Sequence, residues 1–243
     1  MSLLINGLFA QSLRYAQKIT TGILVVFRGL KFESDADIGE KDSFGSGTIQ
    51  ILGRTYMTKI QDLTKTGKLK DGTEVILRPM TRNDRESVGD FFGRLTPSVL
   101  QYVRNDVTDP KVLDQWFDQL NYDHVFPLLA LKDNKVVANA TLHRIGYGWR
   151  KHLGTLRIVV EPEFHGKGLG TLMINELVDL SHEFGLEKLM VEFPLKAHGA
   201  LAMFKKAGFS PRAVIEGLMK DRHGENLDIV IMVMDVAAHV GRI

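Results

Sequence analysis

The chain of 243 residues is 44% apolar and 25% charged, the balance of an ordinary globular protein rather than of a disordered or fibrous one. Its 31 basic and 29 acidic residues leave a net charge of +2, too small and too scattered to imply a nucleic-acid or other polyanionic partner. With no cysteine, disulfides, thiolate metal sites and cysteine nucleophiles are excluded, which suits a reducing cytoplasm; no apolar run is long enough to span a bilayer, and Met1 to Ala10 lacks the charge of a secretory signal.

Residues 1–56 read apart from the rest. Gly22 to Leu30 has the apolar run of a strand, but Lys31 to Gly47 is charged and glycine-rich, and Thr48 to Leu52 is short. Too few apolar residues are present to bury a separate core. This N-terminal extension is expected to be a tail, an element packed on the main domain, or upstream sequence ahead of a start at Met57. Residues 57–243 form the expected domain.

From Gly72 the pattern becomes regular. Thr73 to Arg78 alternates as a strand, and Thr81 to Phe92 is a helical pattern with Thr81 as cap and Asp84 in its first turn. Asp109-Pro110 opens a second helix through Leu120, because proline fits a first turn after a capping aspartate. Val125 to Lys132 and Lys135 to Ile145 flank Asp133-Asn134, a two-residue turn signal, and so predict an antiparallel hairpin. Leu153 to Val160 is the next strand. Leu169 to Phe184 has Leu169, Leu172, Met173, Leu177 and Leu180 at helical spacing and ends at Gly185. Leu186 to Phe193 is a strand, His198 to Ala207 a short helix stopped by Gly208, and Ala213 to Met219 with Leu227 to Val236 a closing hairpin. The order β-α-α-β-β-β-α-β-α-β-β is that of an α+β domain built on one mixed, mostly antiparallel sheet flanked by helices.

The junction between Val160 and Leu169 carries the chemistry. Gly166, Lys167, Gly168 and Gly170 stand where a strand passes into a helix. Glycine there permits a sharp bend and leaves amides uncovered, and the helix start adds partial positive charge, so the junction suits a phosphate or diphosphate. The spacing G-x-G-x-G fails the dinucleotide pattern G-x-G-x-x-G, and no Gly-Lys pair is followed by Ser or Thr as a nucleoside-triphosphate loop requires.

The stretch Val160-Glu161-Pro162-Glu163-Phe164-His165-Gly166-Lys167-Gly168-Leu169-Gly170 resembles the acyl-CoA diphosphate loop of the GCN5-related N-acetyltransferase (GNAT) family, V-x-P-x-x-[RQ]-G-x-G-x-[GA], with His165 at the Arg or Gln position. Leu69 to Met80, with Asp71-Gly72 and Leu77-Arg78-Pro79, looks like the first strand of a subgroup that includes bacterial protein-lysine acetyltransferases. Ala207-Gly208-Phe209 resembles the family's Gly-Phe after its short helix. The resemblance covers Leu69 to Val236 and implies the GNAT fold, with acetyl-CoA as donor and an amine, of a small molecule or a protein lysine, as acceptor. It assigns diphosphate binding to the amides of Gly166, Lys167, Gly168, Leu169, Gly170 and Thr171 beside His165, and pantetheine pairing to the backbone of Ile158, Val159 and Val160.

The proton path is less well supplied. Relatives place a glutamate at the position of Thr155 and a tyrosine at that of Phe204. Candidate replacements are His143 and His198, whose ordinary pKa suits a base, and Glu161, with Glu163 and Glu192 beside them. Paired glutamates before a helix are also favourable to its dipole alone. The loop Arg144 to Gly154, with Tyr147, Trp149, Arg150, Lys151 and His152, is expected near the acceptor, although a solvated connection has the same composition. The histidines lack metal-ligand spacing, so no metal site is expected. Two further readings stand beside the enzyme: a non-catalytic acyl-CoA-binding sensor, and a nucleotide-binding regulator.

Overall fold

The computed structural model describes residues 49–51, 54–56, 63–103, 105–221 and 223–240. The strand expected at Gly22 to Leu30 and the start at Met57 lie outside these. β1 (Ile49–Ile51) and β2 (Arg54–Tyr56) pair antiparallel as a small hairpin separate from the main sheet.

The main sheet has eight strands: β3 (Lys65–Lys68), β4 (Glu74–Pro79), β5 (Val125–Lys132), β6 (Lys135–Arg144), β7 (Leu153–Val160), β8 (Lys188–Pro194), β9 (Ser210–Lys220) and β10 (Asn226–Asp235). They lie in the order β3-β4-β5-β6-β7-β8-β10-β9. Every neighbouring pair is antiparallel except β7 and β8. The β5–β6 turn holds Asp133 at φ +49° and Asn134 at φ +63°, the left-handed pair that a two-residue hairpin needs. β5 is buried along both faces, as a central strand requires.

Helices cover the sheet. On one face lie α1 (Arg85–Arg94), the single turn α2 (Pro97–Leu100) and α3 (Pro110–Asp118). Val88, Phe91 and Phe92 of α1 pack there with Leu113 and Phe117 of α3 over Leu129 and Leu131 of β5. On the other lies α4 (Leu169–Glu183), whose Leu169, Met173, Ile174 and Leu177 pack on Phe126, Leu128, Ala140 and Leu156. α5 (His198–Lys206) joins this second layer through Phe204, and the short α6 (Ala237–Val240) follows β10.

Local signals explain most boundaries. Asp109 accepts from the Lys111 N–H at 2.9 Å and caps α3 as expected. Thr81 does not begin one continuous helix: Arg82–Asp84 is a 3₁₀ turn, and Asp84 turns inward to bind Arg78 at 2.6 and 2.8 Å and the Thr81 N–H at 2.7 Å. β3 has no counterpart among the expected strands, because Lys65-Thr66-Gly67-Lys68 is polar throughout and carries no alternation.

Candidate functional site

The only parallel join in the described sheet is short. β7 and β8 pair at Leu153↔Lys188, Gly154↔Leu189 and Thr155↔Met190, and no further. Beyond Thr155, Leu156–Val160 keeps its pairing with β6, while Val191–Pro194 keeps its pairing with β10. The two strands therefore part as a V, and the inner backbone edge of β7 is left without a strand partner.

At the mouth of this V, β7 runs into the glycine turn. Pro162–Phe164 forms a 3₁₀ turn, His165 Nε2 lies 2.9 Å from the Val160 carbonyl, and Gly166 and Gly168 adopt φ +73° and +96°. Those angles belong to the left-handed region that glycine enters without penalty. The ladder of α4 starts with the Leu172 N–H donating to the Gly168 carbonyl at 3.0 Å. The amides of Gly166, Lys167, Gly168, Leu169, Gly170 and Thr171 find no acceptor among the described residues, and Leu169 and Gly170 are buried. A helix start whose amides lack partners within the chain suits an anion.

Gly170 has a different task. A Cβ on it would strike Met203 Sδ, so this glycine lets α5 pack against the first turn of α4. The turn is also tied to the β3–β4 connection. The Lys70 N–H donates to the Lys167 carbonyl at 3.0 Å, and Lys167 Nζ lies 3.1 Å from Asp71 Oδ2. The Thr73 backbone N–H, then the Thr73 hydroxyl and Lys167, lower the Asp71 pKa to about 2.

The face of the V opposite α4 is set by alternation. Val159 packs with α1 and α3, so Thr155 and Arg157 share that face of β7. Register adds Thr141 and His143 from β6, opposite Arg157 and Thr155, and Met190 and Glu192 from β8. All six are partly buried. His143, Thr155 and Met190 form the row at the apex; Thr141, Arg157 and Glu192 lie one step toward the mouth. Thr141 Oγ1 is 3.0 Å from His143 Nε2. Tyr102, after α2, receives Lys196 of the β8–α5 turn at 5.9 Å from its ring centroid.

The other expected residues are placed apart from this row. Glu161 is paired with Arg94 at 3.3 Å, and Arg94 also donates to the Val136 carbonyl at 2.7 Å. His198 is exposed at the first position of α5. Phe204 is buried, stacked on Phe193 at 5.4 Å and edge-on to Phe209 at 5.3 Å. The loop with Tyr147 and Trp149 leaves β6 just after Arg144, at the closed end of the V, a full strand length from the glycine turn. Tyr147 and Trp149 are 78% and 87% exposed there. Arg157 and Tyr102 were not singled out from sequence; alternation from Thr155 was signal enough for Arg157, while nothing local marked Tyr102. Among the described residues no helix is long and apolar enough to cross a membrane.

Comparison with known proteins decides what carries this V and turn. The acetyltransferase (GNAT) family model matches residues 94–209, from the end of α1 to Phe209. Residues 94–209 are a domain of the GNAT family. The GNAT domain is similar to the uncharacterized N-acetyltransferase MJ1207 of Methanocaldococcus jannaschii, 29% identical over 63 residues, 26% of this chain and 28% of that protein. It is also similar to acetyltransferase PA5475 of Pseudomonas aeruginosa, 22% identical over 125 residues, 50% of this chain and 67% of that protein. The first match thus spans little more than a quarter of its relative. Among solved structures, the GNAT domain of S. lividans PAT has TM-score 0.60 at 17% identity, over 72% of this chain and 97% of that one. Spermidine N-acetyltransferase from Vibrio cholerae, in complex with CoA and spermine, has TM-score 0.59 at 15% identity, over 68% and 98%. At such identities the shared property is the GNAT fold, a mixed, mostly antiparallel sheet between helices.

Proposed function

We propose that the GNAT domain, within residues 57–243, is a cytoplasmic N-acetyltransferase that moves an acetyl group from acetyl-CoA to a primary amine in a ternary complex. The observation that carries this reading is the run of six amides, Gly166 to Thr171, with no acceptor among the described residues, at the mouth of a V whose β7 edge has no strand partner among them. The turn suits a diphosphate, and the edge at Ile158, Val159 and Val160 suits the amide-bearing arm of coenzyme A. His165 holds the turn through the Val160 carbonyl.

The amine nitrogen attacks the thioester carbonyl carbon, and the C–S bond breaks as the C–N bond persists, its electrons leaving on sulfur. Holding both reactants along the V contributes most of the rate gain. The proton lost by the attacking nitrogen goes to His143, which lies opposite the position where relatives carry glutamate. His198 is the second candidate acceptor, and Glu161 holds the turn to α1 through Arg94. Phe204 has no proton to give, so the thiolate takes one from water.

Calorimetric titration with acetyl-CoA, CoA and ATP, followed by thiol release with amines, tests this. The polyamine named in the V. cholerae complex and a lysine peptide are the first acceptors to offer. Tight acetyl-CoA binding with amine-dependent thiol release is expected. Binding without release by any amine would favour the second reading, an acyl-CoA-binding sensor, which Thr155 and Phe204 also support; tighter binding of ATP would overturn both.

A further inference from the structure

The connection between β3 and β4 is laid against the glycine turn. β3 leads into it over α4: Lys65 Nζ lies 2.7 Å from Glu176 Oε1, Gly67 stands against Leu172, and Leu69 is buried in the core. The Lys70 N–H then donates to the Lys167 carbonyl at 3.0 Å. From that anchor the Lys70 side chain runs along Gly168: a Cβ on this glycine would stand 3.5 Å from Lys70 Cγ and 3.6 Å from Lys70 Cε. Its ammonium, one bond further on, therefore hangs beside the turn although the residue is exposed.

Lys70 is also the cation of this corner that nothing neutralises. Lys167 is engaged by Asp71 at 3.1 Å and Lys65 by Glu176, and Lys68 points from β3 to the face opposite Lys65 and Gly67. Among the described residues no carboxylate pairs with Lys70. A lysine ammonium is a compact charge with three donors, a ready partner for a phosphate.

We propose that Lys70 binds the 3′-phosphate of coenzyme A and makes the site prefer the 3′-phosphorylated cofactor to dephospho-CoA. This rests on the reading of the glycine turn as a coenzyme A site. Topology selects which phosphate reaches it. The free edge of β7 faces β8, and the arm carrying the acetyl group takes that side; β3 and β4 lie beyond β6 and β5, on the other side of β7. The six amides of the turn take the diphosphate. What remains for the β3–β4 side is the adenosine end, whose phosphate monoester carries about two negative charges at neutral pH. Lys70 precedes the segment 94–209 that matches the family, so the contact belongs to this chain's own β3–β4 connection.

Calorimetric titration of the full chain with CoA and with dephospho-CoA, on wild type, Lys70→Met and Lys70→Arg, tests the proposal. Methionine keeps an unbranched stem over Gly168 and removes the charge; arginine keeps the charge. The wild type should bind CoA roughly tenfold more tightly than dephospho-CoA, and that advantage should shrink as salt is raised to about 0.5 M. Lys70→Met should bind both ligands with the wild-type affinity for dephospho-CoA, within about twofold, while Lys70→Arg keeps the preference. A wild type without preference, a preference that survives in Lys70→Met, or a Lys70→Met loss equal for both ligands would each overturn it, the last by giving the ammonium to the diphosphate or its stem to packing alone. Binding of neither ligand by the wild type would sink the coenzyme A reading itself, whereas binding of both without preference leaves that reading standing and removes only the role of Lys70.

Discussion

His143 on β6 stands directly opposite Thr155 on β7, at the last rung before β7 and β8 part. Directly opposed residues share a face and lie closer than any other cross-strand pair, so an imidazole borders the place where relatives carry a carboxylate. His143→Gln should lower kcat by about a hundredfold or more while leaving the acetyl-CoA KM within about threefold, and should remove the acid limb of the pH–rate profile. Thr155→Glu in the same chain should recover part of the rate. Steady-state kinetics across pH reads both.

The two glycines of the turn should fail in different ways. Gly168→Ala forces a side chain to φ +96°, costing about 1–2 kcal/mol, and moves amides out of line, so acetyl-CoA affinity should fall with stability. Gly170→Val meets Met203 instead and should cost about 1–3 kcal/mol by overpacking. Adding Met203→Ala should return part of the Gly170→Val loss and none of the Gly168→Ala loss, read by denaturant unfolding.

Asp71 supplies a pH signature. Its pKa is lowered to about 2 by the Thr73 amide and hydroxyl and by Lys167, so its contribution is present above the ordinary carboxylate value and is lost as pH falls toward about 2. Melting curves of wild type and Asp71→Asn should be separated above pH ~4 and converge as pH approaches ~2.

Asp84 is a buried anchor of the turn between β4 and α1. Its carboxylate is 8% exposed and receives two bonds from Arg78 and two from Thr81. Burial pushes its pKa up, but the bonds from Arg78 and Thr81 outweigh that and hold it below the usual range. Asp84→Ala strands a half-buried guanidinium and should destabilise the fold by about 3 kcal/mol in urea unfolding.

Much of this was legible in the chain itself. Apolar runs on either side of the Asp133-Asn134 turn marked β5 and β6, and helical spacing with Gly185 marked α4, because those elements bury one or both faces and must show it. β3 was invisible for the opposite reason: an exposed edge imposes no pattern. The glycine turn was legible because left-handed backbone restricts residue choice. The row of His143, Thr155 and Met190 was not, since it depends on cross-strand register, which one strand's sequence does not encode.

The three-rung join gives the sheet a seam. β3 to β7 form one leaf and β8, β10 and β9 the other, and beyond those rungs the leaves are fastened chiefly by α4 and the core beneath it. A molecule that lays its own amides along the free edge of β7 acts as a missing strand, stitching one leaf to the other. Loading the donor should therefore be felt as a structural repair: amide exchange should slow in Val191–Pro194, on the far leaf, as well as at the turn that grips it.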